Sequence, residues 1–151
     1  MSTPTIRQAT LADLDALTPL FDAYRQFYGQ ACDLAATRAF LLARFEHGQS
    51  IVFIAHDGAQ AIGFTQLYPS FSSVSLARTF ILNDLFVDAA HRQRGVGSAL
   101  MAAAKAHAQT LGAIRLTLST ARDNTVAQST YAANGWQRDE RFFVYHLATH
   151  C

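Results

Sequence analysis

Residues 82–100 read Leu82-Asn83-Asp84-Leu85-Phe86-Val87-Asp88-Ala89-Ala90-His91-Arg92-Gln93-Arg94-Gly95-Val96-Gly97-Ser98-Ala99-Leu100. This stretch predicts a strand, a short basic loop with two glycines, and the start of a helix. The first amides of a helix have no acceptor within the helix, and the helix dipole adds partial positive charge at the same end. Glycines let an anion approach the backbone, and Arg92 and Arg94 add full charges. We therefore predict a phosphate-binding site at this loop.

Two well-known phosphate loops do not fit the stretch. A P-loop requires a Lys directly after its second glycine, and no Lys follows these glycines. A dinucleotide fingerprint requires a third glycine, where Leu100 stands, and an acidic residue about 20 positions further on. The residues found there, Thr117 to Ser119, are not acidic. A helix start whose glycines serve only the turn remains the alternative.

The pattern outside this stretch predicts one domain of α+β class with a mixed sheet. The predicted strands are Thr5–Ala9, Ile51–Ala55, Ala61–Tyr68, Arg78–Val87, Leu116–Ser119 and Phe142–Leu147. The predicted helices are a first one capped by Thr10 and ended by Gly29, then Asp33–Glu46, Gly95–Leu111 and Thr125–Asn134. Pro19 is a difficulty for the first helix, because an interior proline removes a hydrogen bond. The stretch from Pro69 to Ser75 is predicted to be a loop.

Composition excludes several classes of protein. Half of the 151 residues are apolar, which excludes intrinsic disorder. The net charge of +1 argues against a nucleic-acid-binding protein, in which a basic face is expected. Only 15% of the residues are charged, which leaves apolar surface for a subunit interface.

Cysteine spacing and the N-terminal residues bear on location. Cys32 and Cys151 lie far apart without a metal-ligand spacing, so we expect two free thiols in a reducing cytoplasm and no metal. The first residues lack a basic region followed by an apolar run, so we expect no secretory signal. No apolar run approaches the ~20 residues of a membrane helix. We therefore expect a cytoplasmic protein.

The loop and a later segment together resemble a known family. Arg92-Gln93-Arg94-Gly95-Val96-Gly97 resembles the R/Q-x-x-G-x-G/A motif of the GCN5-related N-acetyltransferases (GNAT). Asn124, Ala127, Tyr131 and Gly135-Trp136 resemble the family's N-x-x-A-x-x-x-Y-x-x-x-G-F/W pattern. The resemblance runs from about Ile51 to the end, and residues 81–87 are similar to the subgroup of diamine and histone/polyamine acetyltransferases.

This resemblance implies a fold and a cofactor. The fold is a central, mostly antiparallel sheet with a splayed pair of parallel strands, flanked by about four helices, in a single domain over residues 1–151. The cofactor is acetyl-CoA, and no metal is involved. The residues implied to contact acetyl-CoA are Leu85, Phe86, Val87, Arg92, Gln93, Arg94, Gly95, Val96, Gly97, Ser98, Asn124, Ala127 and Tyr131.

The implied reaction is direct attack of an amine on the thioester in a ternary complex. A lysine-like amine has a pKa near 10.4, so it must lose a proton before attack, and the leaving thiolate benefits from gaining one. Tyr131 is at the family's general-acid position, and a phenol with an ordinary pKa of about 10 can protonate a thiolate within reach. Asp84 is a candidate base or a ligand of the substrate's cation, or else makes a structural hydrogen bond. Asp22 and Glu46 are weaker candidates.

The same residues bear on the acceptor and on the assembly. Tyr24, Phe27 and Tyr28 are predicted to bind the substrate together with Asp84, because aromatic faces hold ammonium groups, although each ring could simply pack in the core. The leading acceptor is a small primary amine, namely a diamine, a polyamine or an amino acid. Protein lysine or a protein N-terminus is one alternative, and a non-catalytic acyl-CoA sensor is another. We also expect a homodimer, with Phe142-Phe143-Val144-Tyr145 in its interface.

Overall fold

The structure is a computed structural model that describes residues 3–150. The described chain groups into two compact units, one ending at Ser119 and one beginning at Thr120. The first unit contains β1 (Thr5–Gln8), α1 (Leu14–Phe27), α2 (Leu34–Glu46), β2 (Ile51–Asp57), β3 (Gln60–Ser72), β4 (Ala77–Val87), α3 (Val96–Thr110) and β5 (Leu116–Thr117). The second unit contains α4 (Thr125–Ala133).

The sheet of the first unit has the strand order β1-β2-β3-β4-β5. Neighbouring strands are antiparallel except for β4 and β5, which are parallel and are joined by α3. β5 pairs with β4 only at Phe80 and Ile81, so the two strands share a short ladder. The predicted α+β class with a mixed sheet is confirmed.

Helix α1 covers one face of the sheet. Leu14, Leu17 and Phe21 recur at helical spacing and are buried in one cluster with Ile54 of β2 and Phe64 of β3. The interior proline at position 19 does not end the helix, which continues from Leu14 to Phe27.

β3 extends further than predicted, so the loop expected from Pro69 to Ser75 is wrong at residues 69–72, and the turn takes up residues 73–76. Pro69 pairs with Phe80, and the hairpin with β4 continues to Ser72. The ladder between β2 and β3 ends where Ile51 pairs with Leu67, so beyond this point β3 has, among the described strands of the first unit, a neighbour on one side only. A proline, which has no N–H, is tolerated on such an edge.

The register between β3 and β4 shifts at Asn83. Gln66 pairs with Asp84 while Leu67 pairs with Leu82, so Asn83 has no partner residue on β3. A bulge of this kind bends the strand and increases its twist. The short ladder with β5 lies entirely before the bulge, so β4 continues beyond it without β5 as a neighbour.

The strand predicted at Phe142–Leu147 is wrong for the described chain. Residues 142–147 have no strand pairing, and Phe142, Phe143, Val144, Tyr145 and Leu147 are 71–90% exposed. A strand requires a neighbour for its main-chain hydrogen bonds, and α4 is the regular element of this unit.

Gly63 of β3 marks a close approach of three elements. A Cβ at this position would lie 2.8 Å from the Phe86 carbonyl oxygen of β4 and 3.5 Å from Leu100 of α3. We expect Gly63→Ala to lower the free energy of unfolding by about 1–3 kcal/mol, measured by urea denaturation. Gly97→Ala is the matched control, because its Cβ would meet only Val87, at 4.0 Å. Equal stability of Gly63→Ala and the parent would contradict the expectation.

Candidate active site

Asp84 is a buried carboxylate on β4. Its side chain accepts hydrogen bonds from Gln66 Nε2 at 2.8 Å and from Asn83 Nδ2 at 3.1 Å. The Tyr24 hydroxyl of α1 also donates to it. The residue is 5% exposed. Three elements therefore fix one acid under α1.

The environment of Asp84 changes its acidity. Burial raises the pKa of Asp84, and the hydrogen bonds from Gln66, Tyr24 and Asn83 offset only part of this rise. A carboxylate with a raised pKa is a better proton acceptor than an exposed one, and such groups concentrate at functional sites.

Gln66 is a site residue that the sequence reasoning missed. It is fully buried, and its Nε2 also donates to the Tyr68 hydroxyl at 3.2 Å. Burial and the nearby Asp84 charge raise the pKa of Tyr68 to about 12, so Tyr68 stays a neutral phenol. A glutamine between Phe64 and Leu67 on a predicted strand was the available signal, because buried polar side chains need partners.

The predicted substrate residues on α1 form a continuous set of rings, which we call the aromatic wall: Tyr24, Phe27 and Tyr28. The Tyr24 ring lies 5.1 Å from the Tyr28 ring and 6.0 Å from the Phe86 ring of β4, and the Phe27 ring lies 5.3 Å from Tyr28. Phe27 and Tyr28 are 60% and 57% exposed, whereas Tyr24 is half-buried. The wall therefore runs from Asp84 to the surface.

Asp22, named above as a weaker candidate base, is buried and fully hydrogen-bonded within the pair of N-terminal helices. It is 2% exposed, and its carboxylate accepts hydrogen bonds from the Asp33 amide at 2.9 Å and from Thr37 Oγ1 at 3.2 Å. The Asp33 amide, the Cys32 thiol and other donors lower the pKa of Asp22, which keeps it ionised. Asp22 therefore holds the connection between α1 and α2.

The main chain of β4 beyond the bulge has one free edge in the first unit. The Asp88 amide donates to Ile62 of β3, and main-chain groups alternate in direction along a strand. Phe86 therefore faces β3, while Leu85 and Val87 direct their main-chain groups to the side on which β5 no longer pairs. Of the three predicted strand contacts, Leu85 and Val87 have the main-chain direction needed to bind a ligand on that side.

The loop before α3 has the backbone form of an anion site. Gln93 and Gly95 have φ of 62° and 78°, in the left-handed region. Such a conformation is costly for a residue other than glycine, so the surrounding loop must hold Gln93 in it. Gly95 is the N-cap of α3, so the amides of Val96, Gly97 and Ser98 fall in the first helical turn, where no helical acceptor exists.

The side chains of His91, Arg92 and Arg94 in this loop contact different parts of the first unit. Arg92 Nε donates to the Val87 carbonyl at 2.9 Å. The His91 ring lies between two carboxylates, with ring nitrogens 3.1 Å from Asp88 and 3.6 Å from Asp57. A cleft of about 340 Å³ is lined by Thr3, Pro4, Asp57, Ile62, His91, Gln93, Arg94 and Val96. Arg94 therefore borders open space at the start of α3.

The other predicted residues belong to the second unit. Asn124 caps α4, its Oδ1 accepting from the Ala127 amide at 3.2 Å. Tyr131 is half-buried on α4, and its ring lies 6.2 Å from that of Trp136. The capping bond uses the side-chain oxygen of Asn124, so the amide nitrogen is the group suited to a ligand.

Residues 3–150 contain no cluster of three or more His, Cys, Asp or Glu side chains placed to hold a metal ion. None of their helices has both the length and the apolar character needed to cross a membrane.

Comparison with known proteins identifies the family. Residues 14–136 match the acetyltransferase (GNAT) family. The chain is 50% identical over 142 residues to YhfO, an uncharacterized N-acetyltransferase of Bacillus subtilis (strain 168), covering 94% of this chain and 95% of that protein.

Solved structures agree. A probable acetyltransferase of 41% identity superposes with a TM-score of 0.92, covering 97% of this chain and 99% of that one. The aminoglycoside N-acetyltransferase AAC(6')-Iy in complex with CoA is 25% identical, with a TM-score of 0.81 and coverage of 97% and 96%. The chain therefore belongs to the GNAT family, and it is an N-acetyltransferase that uses acetyl-CoA.

Proposed function

We propose that the protein acetylates a primary amine of a small molecule, namely a diamine, a polyamine or an amino acid. The observation that carries this proposal is the buried Asp84 carboxylate beside the aromatic wall and next to the free edge of β4. A carboxylate attracts an ammonium group, and aromatic faces bind its apolar stem and its charge. A bisubstrate complex of AAC(6')-Iy, at 26% identity, contains CoA-S-monomethyl-acetylneamine, so a small amine is an acceptor analogue in a similar protein.

The residues of the loop and of β4 suit acetyl-CoA, which supplies an activated acetyl group. The amides of Gln93 to Ser98 and the side chain of Arg94 bind the pyrophosphate. The free edge at Leu85 and Val87 binds the pantetheine arm, and the Leu85 amide polarises the thioester carbonyl. Asn124, through its amide nitrogen, and Ala127 complete the cofactor contacts.

The transfer forms one bond and breaks another. The amine nitrogen bonds to the carbonyl carbon and the carbon–sulfur bond breaks. The bound ammonium group gives up one proton before attack and a second as the amide forms, the thiolate takes one up, and one proton is released overall. Asp84 accepts the proton from the amine, directly or through water, because its raised pKa favours proton uptake. Tyr131 donates a proton to the thiolate.

A panel of amines tests this function. We expect acetyl-CoA cleavage, followed as release of free thiol, to rise at least about 10-fold over the rate without amine for one of spermidine, putrescine or lysine. A lysine peptide serves as the comparison. Turnover with the peptide alone would favour a protein acceptor, and binding of acetyl-CoA without turnover of any amine would favour an acyl-CoA sensor.

The exposed segment Phe142-Phe143-Val144-Tyr145 supports a homodimer as part of the proposal. Its four large side chains are 71–90% exposed, and contiguous apolar surface of this kind is typical of an interface. Light scattering should give twice the mass of the chain, and Phe143→Asp should give the monomer. A monomeric parent protein would exclude this interface.

A further inference from the structure

Arg92 does not lie with the loop amides to which its position in the sequence assigned it. Its guanidinium carbon lies 5.5 Å from the ring centre of Phe86 and 5.6 Å from that of Phe27. Its Nε donates to the Val87 carbonyl at 2.9 Å. One hydrogen bond and two rings therefore hold the guanidinium on the α1 side of the sheet, at the outer end of the aromatic wall.

Within residues 3–119, which make up the described part of the first unit, the outer part of this guanidinium has no acidic partner: no carboxylate of that unit lies within ion-pair distance of Arg92. The side chain is exposed. The two terminal nitrogens form a planar fork that matches the two oxygens of a carboxylate. Since Nε is already bonded and both rings restrict rotation, little side-chain entropy is lost when an anion binds.

A second arginine is better placed for the cofactor phosphates. Arg94 lines the cleft at the start of α3 together with Gln93 and Val96, whereas Arg92 packs on Phe27 of α1. The Val87 carbonyl has two lone pairs, so the bond from Arg92 leaves one for a ligand along the free edge of β4. The two arginines of the loop therefore serve two different ligands.

Opposite charges lie at the two ends of the aromatic wall. Asp84 and Phe86 are two residues apart on β4 and so project to the same face, with Tyr24 in contact with both. The carboxylate of Asp84 is at the buried end of this arrangement, and the guanidinium of Arg92 is at the exposed end. A ligand with an ammonium group, an apolar stem and a carboxylate matches the order of these groups.

We propose that the acceptor is a primary amine that also carries a carboxylate, and that the Arg92 guanidinium binds this carboxylate. This inference rests on the proposed acetylation of small amines and narrows the acceptor to amino-acid-like compounds. The transfer itself is unchanged, since the carboxylate takes no part in the bonds that form and break.

Matched pairs of amines test the inference. L-lysine and 1,5-diaminopentane differ only in the carboxylate, as do L-ornithine and putrescine. We expect the parent enzyme to prefer the carboxylated member of each pair by about 10-fold or more in kcat/KM. Arg92→Gln should abolish the preference by raising the KM of the carboxylated amine, and Arg92→Lys should restore only part of it, because Lys lacks the fork.

The control is Arg94→Gln, which should raise the KM for acetyl-CoA and leave the preference between the paired amines unchanged. If Arg92→Gln raises the KM for acetyl-CoA and affects both members of a pair equally, Arg92 binds the cofactor and the inference is wrong. Equal use of both members by the parent enzyme also overturns it. Titration calorimetry of the same pairs in the presence of CoA measures the preference without turnover. A lack of acetylation would therefore overturn the proposed function, while the calorimetric preference would still decide the role of Arg92.

Discussion

Replacing Asp84 by asparagine is expected to lower kcat/KM for the amine by about 10²–10⁴-fold. Asparagine keeps the size of the side chain but takes up no proton and carries no charge for an ammonium group. The loss should appear in the release of free thiol at saturating acetyl-CoA. Asp15→Asn is the matched control on α1, because Asp15 is 86% exposed and pairs only with Arg38 at the surface.

The same substitution should preserve or raise stability at neutral pH. Because burial raises the pKa of Asp84, the folded protein binds this proton more tightly than the unfolded chain does. The stabilising contribution of the carboxyl is full below its unfolded pKa of about 3.9 and is lost as the pH rises through the folded pKa. An amide does not ionise, so the difference in Tm between Asp84→Asn and the parent should grow from about pH 4 to pH 7. If the Tm of Asp84→Asn falls steadily relative to that of the parent from about pH 4 to pH 7, the carboxylate stabilises the fold and this expectation is wrong.

Replacing Tyr131 by phenylalanine is expected to lower kcat by about 10²-fold with little change in the KM for acetyl-CoA. The ring remains on α4 next to Trp136, so packing within the second unit is retained and only the hydroxyl is lost. The proton that the thiolate needs would then have to come from water. Steady-state kinetics across a pH range, with both substrates varied, separates the two parameters.

Ser129→Ala is the control on the same helix, because Ser129 is exposed and removal of its hydroxyl should change neither parameter. If Tyr131→Phe retains full turnover at every pH, Tyr131 is not the general acid. If it raises the KM for acetyl-CoA and leaves kcat unchanged, the hydroxyl serves cofactor binding instead.

Helices α2 and α3 were predicted from the sequence because capping residues, glycines and apolar spacing lie within each segment. The helices predicted to begin at Asp33 and Gly95 begin one residue later, with the Asp33 side chain capping α2 and Gly95 at the N-cap of α3. The phosphate-binding loop could be predicted because it is a continuous stretch of sequence, whereas acetyl-CoA followed from the resemblance to the GNAT family and the fold class from the order of the predicted elements. Asp84 was a candidate by its position on the strand before that loop.

Features that depend on strand register were not predictable. The bulge at Asn83 places Gln66 opposite Asp84, and no local pattern encodes which residue of β3 meets which residue of β4. The direction of Arg92 depends on Phe27 and Phe86, which come from elements far apart in sequence. The prediction of a strand at Phe142–Leu147 was wrong because it used only the local run of apolar residues. A strand also needs a neighbour with which to pair.

The hairpin of β3 and β4 extends beyond the end of β2, so the outer part of β3 has an edge that no described strand of the first unit covers. Edges of this kind are templates on which further chains can add and aggregate. Pro69 lies within this part of the strand and contributes no N–H, so the row of donors is interrupted where an added chain would pair. Pro69, which predicted a loop from the sequence, therefore disfavours the addition of further strands at this edge.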